Sequence, residues 1–251
     1  MTDADRRTRA VKDHYDEMLG SVYSWIVGDF EASYRANTEL FATLGVRSNR
    51  NQTAFDLGSG PGCQSIPLAE AGFRVTAIDF CEELLVELRQ RAGELTINTV
   101  NDDILNFDDH IVEPPELIVC MGDTLVHLPS ADEVDSLLGK VSNSLSAGGR
   151  FVASLRDYSA TPPEGPARFV PVRSSDNRIF TCFLEFRGDT IIVHDILHTR
   201  ENGHWRLRVS CYQKLRLDYR RVIAALHDHG MEVDTLPGEN GMVIVSARKA
   251  S

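Results

Sequence analysis

The stretch Asp56-Leu57-Gly58-Ser59-Gly60-Pro61-Gly62 decides the fold that we predict for this chain. It continues a short strand pattern that begins at Thr53, and it precedes residues 64–71, which have the pattern of a helix ending at Gly72. Glycines between a strand and a helix allow a tight turn and let a ligand approach the backbone closely. The stretch therefore predicts a nucleotide-like cofactor at the first strand of an α/β sheet.

Strand and helix patterns alternate from this loop onward. Strands are predicted at residues 73–79, 97–101, 116–121 and 150–155, and helices at residues 82–92 and 131–145. A last helix at residues 219–229 precedes strands at residues 231–235 and 242–247. Alternation of this kind is typical of parallel sheets covered by helices. We predict an α/β fold with a doubly wound, Rossmann-like, seven-stranded sheet and an antiparallel C-terminal edge.

Two further parts flank this sheet. Residues 11–44 have helical periodicity and predict two helices, whose aromatic side chains form either a lid over the cofactor or ordinary core. After the fifth strand, polar turns at Arg187-Gly188-Asp189 and Glu201-Asn202-Gly203 separate strand patterns over residues 168–217. The prediction is one domain over residues 1–251, with a helical cap (1–46), a cofactor-binding core (47–157), an antiparallel insert (158–217) and a final helix and strand pair (218–251).

Charge and composition limit the partners. The chain has 37 acidic and 26 basic side chains and a formal net charge of −11. Such a balance disfavours nucleic acid and anionic membrane surfaces. No apolar run approaches the roughly 20 residues that span a bilayer, and the N-terminal MTDADRRTRA lacks the apolar core of a secretion signal. We expect a cytoplasmic protein that binds neither nucleic acid nor membrane, and the sequence leaves a homo-oligomer open.

The residues of the glycine loop distinguish two classes of cofactor. The dinucleotide fingerprint requires a small residue three positions after Gly60, where Cys63 stands, and Pro61 and Gly62 intervene. Asp56 precedes the loop, where a carboxylate opposes a pyrophosphate but attracts ammonium and sulfonium groups. S-adenosylmethionine has both cations and no phosphate. Asp79, at the end of the second strand, can accept hydrogen bonds from ribose hydroxyls of either cofactor.

These motifs resemble the class I S-adenosylmethionine-dependent methyltransferases over about residues 50 to 157. The resemblance implies S-adenosylmethionine as the cofactor and S-adenosylhomocysteine as its product. It matches Asp79 to the ribose acid of that family and Asp103 to the acid that reads the adenine amino group. The cofactor-binding residues that it implies are Asp56, Gly58, Ser59, Gly60, Asp79, Phe80, Asp103, Ile104, Met121 and Gly122.

Two segments resemble glycine N-methyltransferase and its small-molecule relatives: residues 121–128, MGDTLVHL, and residues 155–158, LRDY. The resemblance implies a small-molecule acceptor, an amino acid or amine, methylated on nitrogen or oxygen. It implies acceptor-side roles for His127, Arg156 and Tyr158, with Arg156 as a clamp for a carboxylate. Asp123 and Asp157 replace asparagines of the family, so the added charge either favours a cationic amine or, at Asp157, neutralises Arg156 in a structural salt bridge.

Several interpretations stay open at this point. His127 is either a proton acceptor or a hydrogen-bonded wall of the pocket, and Tyr15 and Tyr23 are similar cases. Three histidines on predicted neighbouring strands, His194, His198 and His204, lack a recognised metal-ligand spacing, and we expect no metal centre. The alternatives to a methyltransferase are a noncatalytic protein that binds S-adenosylmethionine and an NAD(P)-dependent oxidoreductase, against which the absence of a Tyr-x-x-x-Lys pair also argues.

Overall fold

The computed structural model describes residues 3–49 and 51–250, so residues 1, 2, 50 and 251 of the predicted parts lie outside the described residues. The strands are β1 Thr53–Leu57, β2 Arg74–Asp79, β3 Ile97–Asn101, β4 Leu117–Cys120, β5 Arg150–Arg156, β6 Phe169–Ser174, β7 Arg178–Arg187, β8 Thr190–Glu201, β9 His204–Leu215, β10 Met231–Pro237 and β11 Met242–Lys249. The helices are α1 Asp3–His14, α2 Gly20–Val27, α3 Phe30–Thr43, α4 Ser65–Glu70, α5 Glu82–Ala92, α6 Ala131–Ser144 and α7 Tyr219–Asp228.

Seven strands form the main sheet in the order β10-β11-β5-β4-β1-β2-β3. The five strands β1 to β5 are parallel, and β11 pairs antiparallel to both β5 and β10. The central strand β4 is buried along its whole length because helices cover both faces of the sheet. This architecture confirms the predicted α/β fold and its antiparallel C-terminal edge.

Side-chain caps fix where helices of the core begin. The Ser130 hydroxyl accepts a hydrogen bond from the Glu133 amide at the start of α6, as expected for a Ser-x-x-Glu sequence. Asp218 caps α7 in the same way through the Arg220 amide. These caps place both helices on one face of the sheet, where they pack against each other.

The N-terminal helices differ from the prediction in one respect. The first helical segment begins at Asp3 rather than at residue 11, and it continues through a π-helical turn, Tyr15–Leu19, to the end of α2. Residues 6–10 are exposed or half-buried, so no apolar periodicity marks this first part of the helix. The predicted break between two helices lies at Gly28, whose φ of 107° ends α2.

The insert after β5 forms a separate antiparallel sheet in the order β6-β7-β8-β9, as predicted. The Asn202–Gly203 turn between β8 and β9 has positive φ at both residues, which suits the twist of a two-residue hairpin. One face of this sheet packs on the N-terminal helices, where Leu19 and Val22 join Phe180 and Leu197 in a buried cluster. Within the described ranges, no helix combines the length and apolar character needed to cross a bilayer.

Candidate functional site: a covered cavity at the carboxyl edge of the sheet

Two neighbouring cavities lie beside the glycine loop. The first encloses about 700 Å³ and the second about 1500 Å³. Both are lined by Gly58, Gly60, Gly122, Thr124 and Tyr23. Because the loops that follow β1 and β4 meet here, the cavities occupy the carboxyl edge of the parallel strands, where open α/β sheets bind ligands.

Hydrogen bonds tie the glycine loop to the end of β2. The amides of Gly58 and Ser59 donate to the Ile78 carbonyl at 2.9 and 3.0 Å. The Gly60 amide donates to Asp79 Oδ2 at 2.8 Å, and the Cys81 amide donates to Asp79 Oδ1 at 2.8 Å. Asp79 therefore fixes the loop and also lines the first cavity.

Glycine is required at two positions of this loop. Gly58 has a φ of 75°, and a Cβ there would lie 2.6 Å from Thr124 Cγ2. Gly60 has a φ of 51°, and the nearest atom to a Cβ there is Tyr23 Cε1 at 3.8 Å. Side chains at such φ values are strained. The turn at Gly58 lets Thr124 approach the loop, and Gly60 leaves its backbone facing the cavity.

Two carboxylates line the first cavity. Asp79 is 8% exposed, and burial raises its pKa to about 6 despite the amide hydrogen bonds that lower it. Asp103 accepts a hydrogen bond from the Leu105 amide at 3.0 Å, and burial raises its pKa as well. No lysine or arginine is among the described residues that line this cavity. The cavity thus suits hydroxyl groups and positive charges and opposes phosphate.

The other predicted cofactor residues follow this arrangement with one exception. Phe80, Ile104 and Gly122 line the first cavity, and Ser59 and Met121 line the second. Asp56 lies beneath the loop inside β1, where Ser65 Oγ donates to its Oδ2 at 2.6 Å, and it lines neither cavity. Burial raises the pKa of Asp56 to about 7. Its structural contact is with the start of α4.

The N-terminal helix covers the first cavity. Thr8, Val11, Tyr15 and Tyr23 line it from this side. The Tyr15 ring contacts Phe80 edge-on, with centroids 5.4 Å apart. Both rings pack against a buried cluster in which Val11 of the helix contacts the insert. Of the two interpretations, lid or core, the structure combines both: the helix packs as core on the insert and presents aromatic side chains to the cavity.

His127 lies in the wall of the first cavity, in a short 3₁₀ turn after β4. Its ring stacks on Tyr212 at a centroid distance of 5.3 Å and an interplanar angle of 13°. Burial, reinforced by the positive charge of Lys214, lowers the pKa of His127 to about 3. The imidazole is therefore neutral at physiological pH, and its Nδ1 has no partner among the described residues.

Tyr158 lies behind this wall in a hydrogen-bonded group. Its hydroxyl donates to Asp123 Oδ2 at 2.9 Å, and Lys214 Nζ lies 2.9 Å from the same oxygen. Sequence reasoning missed Lys214, which belongs to β9 of the insert. The sequence does contain a sign of its role: Lys214 lies two residues after Tyr212, so both side chains are on the same, inner face of the strand, and a lysine on a buried face requires a partner.

The structure does not bring Arg156 to either cavity among the described lining residues. Its guanidinium donates to the Asn240 carbonyl at 2.6 Å and so supports the turn between β10 and β11. Asp157 lies 3.8 Å from Arg220, and among the described residues it forms no salt bridge with Arg156, which was the alternative to the clamp. The expected carboxylate clamp at Arg156 stays a prediction that this arrangement does not support.

Comparisons with known proteins agree with the fold and the loop. Residues 54–149 match the family model described as a methyltransferase domain. A glycine/sarcosine N-methyltransferase from Aphanothece halophytica is 27% identical over 61% of this chain, and the chain spans only 59% of that relative's length. In fold, the chain is similar to the CcbJ methyltransferase of Streptomyces caelestis, with a TM-score of 0.76, 19% identity and coverage of 94% of this chain and 98% of that one.

A second solved structure is also similar over most of the chain. CalS10, described as an amino pentose methyltransferase from Micromonospora echinaspora, has a TM-score of 0.68 at 15% identity, covering 92% of this chain and 95% of that one. The domain match covers the glycine loop, Asp79, Asp103 and His127. Residues 54–149 thus match a methyltransferase domain, and the fold of the whole chain is similar to that of solved methyltransferases.

Proposed function

We propose that this chain transfers a methyl group from S-adenosylmethionine to the amine nitrogen of a small molecule. The observation that carries the proposal is the covered first cavity, in which the glycine loop, Asp79 and Asp103 surround a space without a lining lysine or arginine. The name of the Aphanothece relative supports nitrogen as the atom methylated, and that of CalS10 supports an amino sugar as one class of acceptor. Oxygen acceptors belong to the same class of chemistry and enter the test below.

The cavity fits the proposed cofactor better than a dinucleotide. Asp79 and Asp103 suit the ribose hydroxyls and the adenine amino group, and both oppose a pyrophosphate. The buried Ser59 hydroxyl has no hydrogen-bond partner among the described residues and borders the neighbouring cavity. When bound, S-adenosylmethionine supplies a methyl group activated by the sulfonium charge.

The residues of the chain then bind, orient and exclude water. Asp79 accepts hydrogen bonds from the ribose, while Asp103 accepts one from the adenine amino group. Tyr15 and Tyr23 cover the cavity from the N-terminal helix and keep water out of it. Holding the acceptor close to the methyl group accounts for much of the rate in reactions of this kind, about 7 to 11 kcal/mol in favourable cases.

His127 contributes to this positioning as a neutral imidazole. A pKa of about 3 makes it a weak proton acceptor, so it serves the acceptor amine as a hydrogen-bonding wall rather than as a strong base. An amine that binds in its neutral form needs no strong base to expose its lone pair. His127 thereby suits nitrogen acceptors better than alcohols, which must lose a proton during transfer.

Methyl transfer from labelled S-adenosylmethionine tests the proposal directly. The acceptor panel contains glycine, sarcosine, amino sugars and small phenols, and mass spectrometry identifies products that gain one methyl group. We expect a methylated amine with the parent protein and none with Asp79→Asn, while exposed Asp176→Asn keeps full activity. If the protein binds S-adenosylhomocysteine but methylates nothing in the panel, the noncatalytic binding protein becomes the better account.

A further inference from the structure

A buried ion pair joins the insert to the core behind the first cavity. Lys214 of β9 and Asp123 of the loop after β4 lie 2.9 Å apart, with side chains only 14% and 4% exposed. Removing two charges from water is costly, and their attraction offsets this cost only in good geometry. A lysine buried in this way therefore indicates a positional role rather than a gain in stability.

Asp123 connects three elements through its carboxylate. It has a φ of 72°, and its Oδ1 accepts a hydrogen bond from the Arg156 amide at 3.0 Å, at the end of β5. Its Oδ2 accepts hydrogen bonds from the Tyr158 hydroxyl and from Lys214 Nζ. The turn that carries His127 starts at the next residue, so the main chain of Asp123 joins this hydrogen-bonded group directly to the turn.

Lys214 also stands against the aromatic side chains that meet His127. Its ammonium lies 5.9 Å from the centre of the Tyr158 ring and 6.0 Å from that of Tyr212. Tyr212 lies two residues before Lys214 on the same face of β9 and stacks on His127. The Lys214–Asp123 pair therefore positions both stacked rings: His127 through Asp123, and Tyr212 through β9.

We infer that Lys214 is a positioning residue of the acceptor side, which holds His127 in the cavity wall by bonding Asp123 and thereby locking insert strand β9 to the loop after β4. The inference rests on the proposed function, because only methyl transfer gives this part of the cavity an acceptor to hold. It assigns a role in the site to the insert, which carries none of the sequence motifs. Lys214 acts through His127 and touches neither cofactor nor acceptor.

The stacked ring of Tyr212 provides a readout that needs no acceptor. Aromatic rings shift the resonances of protons above their faces, so the NMR signal of His127 Hε1 reports the stack. Because Lys214 helps to keep His127 neutral, the signal is recorded at pH 7 and at pH 9, and a displacement present at both values reports geometry rather than protonation. His127→Asn assigns the signal, and Tyr212→Leu defines its unstacked position.

Matched variants of the ion pair then test the inference. Lys214→Met removes the charge and keeps most of the side-chain length, whereas Lys214→Arg keeps the charge. We expect Lys214→Met to move the His127 signal at least halfway to its position in Tyr212→Leu, and Lys214→Arg to stay close to the parent. A folded Lys214→Met protein with the parent signal would overturn the inference.

The double variant Lys214→Met/Asp123→Asn guards against failure to fold, because it leaves no unpaired buried charge. It lacks the link between β9 and the loop, so we expect the same displacement of the His127 signal, and an unchanged signal contradicts the inference as well. Calorimetry with S-adenosylhomocysteine is the parallel measurement, with an affinity expected within about threefold of the parent for each variant. A parent protein that does not bind this ligand refutes the proposed function, while the NMR comparison still decides the role of Lys214.

An acceptor found in the methylation screen adds a kinetic readout. Small displacements of positioning groups cost up to about a hundredfold in rate. We expect Lys214→Met to lower kcat by at least about tenfold, with the KM for S-adenosylmethionine nearly unchanged, and Lys214→Arg to recover most of the rate. Equal losses in Lys214→Met and Lys214→Arg would contradict the inference.

Discussion

At the scale of single residues, Asp79 has the most demanding environment in the site. Its carboxylate accepts the Gly60 and Cys81 amides, lies in the wall of the first cavity and is almost fully buried. Burial favours the protonated acid, whereas hydrogen bonds from a ribose favour the carboxylate. If Asp79 binds the ribose as proposed, its ionisation is coupled to ligand binding.

We expect the affinity for S-adenosylhomocysteine to rise with pH through the pKa of Asp79. With a pKa of about 6, only about a tenth of the carboxyl is ionised at pH 5, so binding there should be about tenfold weaker than at pH 8. In Asp79→Asn this pH dependence should disappear, and affinity should fall at pH 8. Calorimetric titrations at the two pH values measure both effects, and equal affinities of the parent protein at pH 5 and pH 8 would contradict the assignment.

The same shift fixes the sign of a stability effect. The folded-state pKa of Asp79 lies above its unfolded value. The contribution of the protonated side chain to the free energy of unfolding is therefore fully present below about pH 4 and is lost as the pH rises through about 6. Asp56 adds to this trend at a slightly higher pH because its pKa is raised to about 7. Ligand binding offsets the loss at Asp79 by bonding the carboxylate.

Asp79 and Lys214 show what single residues reveal in the sequence. Asp79 could be predicted because it ends a strand at a fixed distance from the glycine loop, and both features are local. Lys214 could not, because its partner Asp123 lies 91 positions away and only the docking of the insert brings them together. The contact of Arg156 with Asn240 could not be predicted either, because it depends on the hairpin 84 positions later.

At the scale of elements, the glycine loop works through a close approach between two loops. Thr124, from the loop after β4, lies where a side chain at position 58 would stand. Gly93 offers a comparison, since its φ of 54° is also positive while no neighbouring atom lies within 4 Å of a Cβ there. Comparing substitutions at Gly58 and Gly93 therefore distinguishes the effect of backbone strain from the effect of displacing Thr124.

Gly58→Ala and Gly93→Ala should therefore differ. Both substitutions add backbone strain, about 1 to 3 kcal/mol, but only the first also displaces Thr124. We expect Gly93→Ala to lower the free energy of unfolding by about that amount and to keep its affinity for S-adenosylhomocysteine. We expect Gly58→Ala to lose more stability and to bind S-adenosylhomocysteine at least tenfold more weakly. Denaturant unfolding measures the stability and calorimetry measures the affinity. Equal effects of the two substitutions would contradict this account of the loop.

The helix that covers the cavity is held by a buried hydrogen-bonded pair. His14 Nε2, at the end of α1, lies 2.9 Å from Asp195 Oδ2 of β8, and Ser210 Oγ lies 2.7 Å from His14 Nδ1. Both side chains of the pair are at most 2% exposed. On the same helix, Lys12 and Asp16 form an exposed pair that provides a control.

His14→Ala should loosen the cover over the cavity. Leaving a buried polar group without its hydrogen-bond partner costs about 1 to 3 kcal/mol, whereas an exposed pair contributes less than about 1 kcal/mol. We expect hydrogen exchange of amides in α1 and the π-helical turn to become about tenfold faster or more, and S-adenosylhomocysteine to dissociate faster. Lys12→Ala should change neither rate appreciably, and a similar effect in both variants would show that the buried pair does not hold the helix.

Elements with periodic patterns were predicted closely, and those without were missed. β1 matches the predicted bounds, and the strands and helices of the core differ from prediction by at most a few residues. The first residues of α1 and the 3₁₀ turn Thr124–His127 lack apolar periodicity, so nothing in the local sequence indicated them. Both of these unpredicted elements border the first cavity. Their side chains face the cavity and the insert instead of forming a periodic apolar face.

At the scale of the whole molecule, the topology gathers residues that are distant in sequence. The parallel strands bring the loops after β1, β2, β3 and β4 to one edge, which the alternation of strands and helices already predicted. The docking of the insert could not be predicted, because it depends on contacts such as His14 with Asp195, 181 positions apart. The cofactor side thus follows from local motifs, and the acceptor side follows from long-range packing.

The central claim is that the first cavity binds the adenosyl group of S-adenosylmethionine, and calorimetric titration with S-adenosylhomocysteine tests it most directly. NAD⁺ is the comparison ligand, and Asp79→Asn is the control variant. We expect one site with a roughly micromolar dissociation constant, no heat with NAD⁺ and much weaker binding in the variant. Absence of binding by S-adenosylhomocysteine, or a preference for NAD⁺, would contradict the claim.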